Sequence, residues 1–247
     1  MKARRNSVSA YETALITGAS RGLGLALMRR LASSGTRVVG VARDLQALEA
    51  AVDALRKTGA EAHAVSADVA DKRAVHRIAG VAAAVAGPID LLIHNASTLG
   101  PTPLRLLLDT ECEDLEAVLQ TNLIGPFRLT KLIAGSMALR GRGTILHISS
   151  DAAVSAYPTW GAYSISKAAQ DHLGRVLAAE LDGSGVRVLG VDPGEMDTRM
   201  HAEAMPLADR GSLRRPDEVA ESILRLLEKA HEIPNGTRTE AMPWRAA

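Results

Sequence analysis

The stretch ITGASRGLG, residues 16–24, places three glycines within seven residues directly after an apolar run. Glycine allows a chain to turn with positive φ and lets its backbone approach another group closely. Where such a turn joins a strand to a helix, the unpaired N–H groups of the first helical turn face an anion such as a phosphate. A plain structural corner would use the same residues, and the spacing Gly-x3-Gly-x-Gly differs from the common Gly-x-Gly-x-x-Gly fingerprint. The rest of the sequence is needed to decide between a phosphate-binding turn and a structural corner.

Short apolar runs alternate with helical patterns along the remaining sequence. Strands are predicted at 13–17, 37–42, 62–67, 90–95, 144–149 and 186–191, with helices at 23–32, 45–56, 71–85, 111–139 (interrupted near Gly125-Pro126), 161–181 and 217–229. Six strands separated by helices predict an α/β fold with a doubly wound parallel sheet of the Rossmann type. We expect one domain over 11–247, a flexible tail over 1–10, and a short edge strand within Thr237–Ala241. In such a sheet ligands bind beyond the carboxyl ends of the strands, where the glycine turn lies.

The composition argues against several classes of function. The chain has 247 residues, of which 47% are apolar and 23% charged, and its net charge is +1, so no global field favours nucleic acid or membranes. The few aromatic residues do not alternate with a basic stripe, as a nucleic-acid surface would require. The basic start MKARRNSVSA lacks the apolar stretch of a secretory signal, and Cys112 is the single cysteine. We therefore expect a soluble protein located in the cytoplasm.

A tyrosine and a lysine stand four residues apart in the predicted helix 161–181. Tyr163 and Lys167 share one face of that helix, where a cation would stabilise the phenolate and lower its pKa from about 10 towards neutrality. Such a phenol could act as a general acid or base. Ser149 and Ser150 end the strand TILHIS and bring hydroxyl groups to the same edge of the sheet. A solvated tyrosine and lysine on a helix surface would show the same spacing. The prediction of an acid–base site therefore depends on finding this pair together with the serines and the glycine turn.

Together these motifs resemble the classical short-chain dehydrogenase/reductase family over about residues 11–220. The resemblance is carried by Thr17-Gly18-x3-Gly22-x-Gly24, Asp68, Asn95-Ala96, Asn122, Ser150, Tyr163-x3-Lys167 and Pro193-Gly194. It implies that Tyr163 gives a proton to a substrate carbonyl oxygen while hydride arrives from a nicotinamide. Ser150, thirteen residues before that tyrosine, would hydrogen-bond the same oxygen. Lys167 would lower the tyrosine pKa and hold the nicotinamide ribose, and Asn122 would position a water in the proton relay.

The same resemblance implies a binding site for the cofactor. The glycine turn would hold the adenosine ribose and pyrophosphate, Asp68 would bond the adenine amino group, and Asn95 would lie beside the ribose. No metal ligand is assigned. The full predicted set is Thr17, Gly18, Ser20, Arg21, Gly22, Leu23, Gly24, Arg43, Asp68, Val69, Asn95, Ala96, Tyr163, Lys167, Pro193, Gly194, Met196 and Thr198.

The end of the second predicted strand bears on the choice of nicotinamide. NAD-preferring relatives carry an acidic residue there, and this chain has Ala42 at that position, followed by Arg43. A second arginine, Arg21, lies inside the glycine turn. Two guanidinium groups would supply forked, charge-assisted contacts to a 2′-phosphate. Asp44 follows the strand end and is expected to cap the next helix. The pattern favours NADP(H) over NAD(H).

The resemblance places a short substrate lid over residues 199–215. The predicted substrate pocket is Leu99, Ala152, Tyr157, Trp160 and Met200, with Val154, Glu195 and Met196 as further candidates. This mixed, mainly apolar set favours a small or medium ketone, aldehyde or quinone-like carbonyl. One alternative is a 3-oxoacyl-[acyl-carrier-protein] reductase, because Arg128 matches one carrier-docking position, although the second docking region, 181–184, has no cation. A further alternative is a non-catalytic nucleotide-binding sensor or scaffold.

Three positions depart from the family pattern. Ser97 replaces a common glycine, and His147 stands where asparagine is common. His94 is expected to be a packed strand residue and not a catalyst.

The predicted helices 111–139 and 161–181 carry more apolar residues than one sheet face needs. In the family these helices pair between subunits, which predicts a homodimer or homotetramer.

Overall fold

A computed structural model describes residues 10–242 of the chain. Within that range, seven parallel strands form one sheet in the order β3-β2-β1-β4-β5-β6-β7. The strands are β1 (Thr13–Thr17), β2 (Arg37–Ala42), β3 (Ala62–Ser66), β4 (Leu91–His94), β5 (Gly143–Ile148), β6 (Val186–Asp192) and β7 (Arg238–Glu240). The predicted doubly wound parallel sheet is confirmed, and the expected edge strand is β7. All but the last residue of the predicted N-terminal tail lies outside the described residues.

Eight α-helices lie in the described part of the chain. They are α1 (Gly22–Ser33), α2 (Leu45–Arg56), α3 (Ala74–Ala86), α4 (Cys112–Leu119), α5 (Gly125–Leu139), α6 (Gly161–Glu180), α7 (Arg199–Ala204) and α8 (Pro216–Glu228). Across residues 10–242, none combines the length and apolar character needed to cross a membrane. Asp44 caps α2 as predicted, because its carboxylate accepts from the Ala47 amide at 3.0 Å.

The long predicted helix 111–139 is interrupted earlier than its glycine and proline suggested. A π-helical turn, Gln120–Ile124, separates α4 from α5. Pro126 lies in the first turn of α5, where its missing N–H costs no helical hydrogen bond. Gly125 is required for close packing, because a Cβ there would lie 2.4 Å from the carbonyl oxygen of Val69. The proline therefore begins a helix, and the break itself is the π turn that holds Asn122.

Successive strand residues point to opposite faces of the sheet and build two cores. Ile16 of β1 belongs to the core formed with α1, α2 and α8, whereas its neighbour Leu15 belongs to the core formed with α3 and α5. Every residue of β1 is buried, as expected for a strand covered on both faces. Because helices cover both faces of the sheet, polar groups converge at its carboxyl edge.

Two histidines on neighbouring strands are stacked inside the sheet. The rings of His94 on β4 and His147 on β5 lie 5.0 Å apart between centroids, and both residues are only 1% exposed. His94 Nε2 lies 2.8 Å from the Thr130 hydroxyl, so the prediction that His94 is a packed strand residue is confirmed. Burial lowers the pKa of His147 to about 4, with a further contribution from the charge of Lys167, and burial also lowers the pKa of His94. Both imidazoles are therefore neutral at pH 7.

Acid should destabilise the protein through this pair. The unfolded chain protonates His147 near pH 6.5, but the folded chain does so only near pH 4, so stability is lost as the pH falls between these values. For His147 alone we expect the free energy of unfolding to fall by about 2 kcal/mol between pH 7 and pH 4.5. Urea unfolding at both pH values measures this. In H147N the fall should be smaller than in wild type by about this amount, whereas H231N, which changes an exposed histidine, should show the wild-type fall; an equal fall in both variants would contradict the assignment.

Candidate active site

The glycine turn joins β1 to α1 and is braced by the end of β4. Gly18 and Gly22 both have positive φ, +69° and +55°. The Asn95 side chain donates to the carbonyl oxygens of Thr17 and Gly18 at 2.9 and 3.2 Å. A Cβ on Gly24 would lie 2.2 Å from the Gly18 carbonyl oxygen. The turn is therefore held in one conformation by close backbone packing that only glycine permits.

A cavity of about 530 Å³ opens between this turn, the carboxyl ends of the strands and the segment after β6. No side chain within residues 10–242 caps the N-terminus of α1, so the N–H groups of its first turn are free to meet an anion. Most of the predicted cofactor residues line this cavity: Gly18, Ser20, Arg21, Gly22, Leu23, Arg43, Asp68, Val69, Asn95, Ala96, Tyr163, Lys167, Pro193, Met196 and Thr198.

Three predicted cofactor residues lie behind the cavity wall. The Thr17 hydroxyl accepts from the backbone N–H groups of Asn95 and Ala96, both at 3.1 Å, and so joins β1 to β4. Gly24 packs against Gly18, as described above. The Gly194 amide donates to the Asp192 carboxylate at 2.9 Å, and its φ is +69°. These residues shape the cavity without being among those that line it.

Two arginines stand at the end of the cavity near β2. Arg21 and Arg43 both line it. Ala42 also lines it, and it occupies the position at which NAD-preferring relatives carry an acidic residue. The Arg43 guanidinium lies 3.8 Å from the Asp68 carboxylate, and its side chain is 73% exposed. An exposed pair at that distance is weak, so the arginine remains available to a ligand.

Tyr163 and Lys167 converge at the other end of the cavity, as the spacing predicted. The Lys167 ammonium lies 5.6 Å from the centroid of the Tyr163 ring. It donates to the Ile148 carbonyl oxygen at 2.7 Å and to Gln170 Oε1 at 3.4 Å. Ser150 follows β5 by two residues; its hydroxyl donates to the Asp151 carboxylate at 3.0 Å and lies near enough to the phenol to lower the pKa of Tyr163. The predicted serine, tyrosine and lysine therefore meet in space.

Burial dominates the titration of both groups. It raises the pKa of Tyr163 to about 12, an effect that the Ser150 hydroxyl opposes and that the charges of Asp192 and Asp151 reinforce. Burial lowers the pKa of Lys167 to about 8, opposed by the charges of Asp171 and Asp192. The expectation that Lys167 brings the tyrosine pKa towards neutrality is therefore wrong for this structure, because desolvation of the phenolate outweighs the stabilising contacts.

Asn122 is fully engaged by the protein. Its side chain accepts from the Thr98 amide at 2.8 Å and donates to the Thr98 carbonyl and the Ser166 hydroxyl at 2.8 and 2.9 Å. Its backbone carbonyl accepts from Gln170 Nε2 at 3.0 Å. Asn122 is 0% exposed and is not among the residues that line the cavity, and its expected role in positioning a relay water stays a prediction. Gln170, which the motif analysis missed, bridges it to Lys167.

The predicted substrate residues divide into two groups. Leu99 and Ala152 form a small buried cluster with Tyr163, against which Trp160 and Met200 pack. Tyr157 lies outside this cluster: it is 44% exposed and donates to the Asp151 carboxylate at 2.9 Å. The further candidate Val154 is 70% exposed. The apolar wall beside the tyrosine therefore comes from the first group alone.

The structure also locates the predicted lid, residues 199–215, and the predicted carrier-docking residue Arg128. Within 199–215 the chain forms α7 and a short 3₁₀ turn, Arg210–Ser212, and the segment returns to pair Arg214 with Met196. Arg199 and Met200 at its start line the cavity, as do Met196 and Thr198 just before it. Arg128 on α5 donates to the Ala70 carbonyl at 3.1 Å, so part of its guanidinium is already bound within the protein.

Comparisons with known proteins agree with this geometry. A family profile described as short chain dehydrogenase matches residues 12–207. A 3-oxoacyl-[acyl-carrier-protein] reductase of Synechocystis is 36% identical over 221 residues, covering 86% of this chain and 87% of that protein. The crystal structure of a variant of actinorhodin polyketide ketoreductase with NADPH superposes with a TM-score of 0.84 at 29% identity, covering 97% of both chains. NAD⁺-bound xylitol dehydrogenase gives 0.82 at 25% identity, covering 93% of this chain and 96% of that one. The chain belongs to the short-chain dehydrogenase/reductase family of oxidoreductases.

Proposed function

We propose that this protein is an NADP(H)-dependent oxidoreductase that interconverts a carbonyl and a secondary alcohol on a small to medium substrate. The observation that carries the proposal is the single cavity with Tyr163 and Lys167 at one end and Arg21 and Arg43 at the other. The arginines at one end suit the phosphates of a dinucleotide, and the apolar wall of Leu99 and its neighbours suits an uncharged substrate. The cytoplasmic location expected above stays a prediction.

The cavity fits a nicotinamide dinucleotide at its phosphate end. The first turn of α1 offers backbone donors, and Gly18 holds the turn close to β4, since a Cβ there would lie only 2.9 Å from the Ala96 Cα. Arg21 and Arg43 would bind a 2′-phosphate, and Ala42 offers no carboxylate to a free ribose hydroxyl. When bound, the nicotinamide supplies or accepts the hydride. The residues Asp68, Asn95, Pro193, Met196 and Thr198 would complete its binding site.

The proton chemistry belongs to Tyr163 in this proposal. With a pKa of about 12 the phenol is protonated at neutral pH and can donate its proton to the oxygen of a substrate carbonyl. Ser150 would hydrogen-bond the same oxygen and orient it. The Lys167 ammonium, 5.6 Å from the ring, would stabilise the phenolate that remains. In the oxidative direction the same groups would take the proton back.

The choice of cofactor can be measured directly. Calorimetric titration of the wild-type protein should give a dissociation constant for NADPH about 100-fold lower than for NADH, because two charge-assisted contacts act on the extra phosphate. NADP⁺ and NAD⁺, titrated in parallel, control for the redox state of the ring. Tighter binding of NADH would overturn the arginine assignment and leave the catalytic one standing. Binding of neither would remove the enzymatic proposal and favour a scaffold or sensor.

Reduction of a 3-oxoacyl group on acyl carrier protein remains the second candidate. The identity to the Synechocystis reductase favours it. The bond from Arg128 to Ala70 and the absence of a cation in segment 181–184 disfavour a strong docking surface for an acidic carrier. We also propose that the chain forms a homodimer or homotetramer through α5 and α6. Exposed apolar side chains on these helices support this, namely Phe127, Leu132, Leu139, Ile165 and Val176.

A further inference from the structure

The guanidinium group of Arg238 lies directly behind the proposed active site. It belongs to β7, the short last strand, and bonds two buried carboxylates. Its Nε lies 3.1 Å from Asp171 Oδ2, and its Nη2 donates to Asp192 Oδ2 at 2.8 Å. The same Nη2 donates to the backbone carbonyl of Ser150 at 2.8 Å. The side chain of Arg238 is 21% exposed, against 5% and 8% for the two aspartates. The guanidinium group of Arg238 therefore forms its contacts within the protein and is largely shielded from solvent.

Each partner of Arg238 belongs to an element that carries part of the proposed site. Asp171 lies four residues after Lys167 on α6. Ser150 follows β5 by two residues, and the neighbouring Ser149 hydroxyl donates to Asp171 at 2.8 Å. Asp192 ends β6, and its other oxygen accepts from the amide of Gly194, which belongs to the predicted cofactor site. One side chain therefore joins the serine, the lysine helix and the cofactor wall.

The cluster also sets the charge around Lys167. The groups that face this lysine are Tyr163, Gln170 and Asp171 on α6, Asp192 on β6, and the Ile148 carbonyl and His147 ring on β5. Two of these are carboxylates, and both stabilise the ammonium form. Arg238 forms ion pairs with both carboxylates and so offsets their charge. Without it, two negative charges would act on the lysine uncompensated.

We propose that Arg238 is a positioning residue of the active site, whose forked guanidinium holds the ends of β5 and β6 against α6 and balances Asp171 and Asp192. A single cation with planar, bidentate geometry suits this task, and lysine could supply the charge but not the fork. The proposal rests on the proposed function for its effect on turnover. Its effect on Lys167 holds independently of any substrate.

Two measurements on R238M test the proposal. The rate kcat/KM for reduction of a probe ketone with NADPH should fall on the order of 100-fold, because the reacting groups lose their alignment. The Lys167 signal of protein labelled with ¹³Cε-lysine should titrate about one pH unit higher than in wild type, because the unpaired carboxylates stabilise the ammonium. K167R identifies that signal by its loss.

The matched control is R187M. Arg187 on β6 also ties the C-terminal segment to the sheet, by donating to the Ile233 carbonyl, but near the opposite end of the strand. Its loss should lower stability and leave both readouts unchanged. R238K should keep the wild-type midpoint of Lys167 and lose about tenfold in rate, because it restores the charge but not the fork. D192N/R238M should bring the midpoint back towards wild type.

The outcomes separate the two proposals. If R238M matches R187M in rate and in the Lys167 midpoint, the positioning role is overturned. If wild type binds NADPH but reduces no carbonyl, the proposed function fails, and the Lys167 titration still decides the role of Arg238. Should R238M not fold, R238K decides the matter: a wild-type rate in that variant overturns the need for the fork.

Discussion

Replacing Tyr163 with phenylalanine should lower kcat for carbonyl reduction by about a thousandfold while leaving the affinity for NADPH within about twofold of wild type. The phenol is the proposed proton donor, it lines the cavity, and burial keeps it protonated at neutral pH by raising its pKa to about 12. Phenylalanine keeps the ring and its edge contact with Trp160, at 5.9 Å between centroids. Steady-state kinetics with calorimetry of the same preparation measures both quantities.

The control for this variant is Y11F. Tyr11 is also largely buried and donates to the Thr144 hydroxyl at 3.1 Å, away from the cavity. Its loss should cost stability and leave kcat unchanged. Equal rates in Y163F and wild type would refute the assigned acid. A joint loss of rate and NADPH affinity in Y163F would show that the phenol hydroxyl acts in cofactor binding instead.

Replacing Arg21 and Arg43 together with glutamine should weaken NADPH binding about 100-fold or more. Each guanidinium would contribute about 1.5–3 kcal/mol through hydrogen bonds to a charged phosphate, and 1.4 kcal/mol corresponds to a factor of ten. The affinity for NADH should change by less than about threefold, because that cofactor lacks the 2′-phosphate. Titrations of wild type and R21Q/R43Q with both cofactors measure the difference. Raising the salt concentration should narrow it, because both arginines are exposed.

R30Q provides the matched control for the double variant. Arg30 lies on α1 and forms an exposed ion pair with Glu221 at 3.4 Å, so its loss removes a charge near the same helix without touching the cavity. Its NADPH affinity should equal that of wild type. If R21Q/R43Q weakens NADPH and NADH by the same factor, the arginines support the shared pyrophosphate or the turn itself. NADP(H) preference would then need another source.

The sheet, its flanking helices and the candidate site residues could be predicted from the sequence alone. Strand and helix periodicities are local properties, so alternating apolar runs were enough to predict the order of elements. Tyr163 and Lys167 could be paired because residues four apart meet on any helix. The glycine turn could be assigned because glycine and a strand-to-helix junction are both visible within nine residues.

The contacts that hold these side chains in place, and their pKa values, depend on the tertiary structure. The tyrosine pKa rises because the fold buries the phenol, and no spacing along the chain reports burial by distant elements. Asn122 is engaged by Gln170, 48 residues away, and Arg238 reaches Ser150 across 88 residues. Such contacts form when strands far apart in the chain become neighbours in the sheet. Local periodicity therefore predicts which residues react, whereas packing between distant segments sets their charge and orientation.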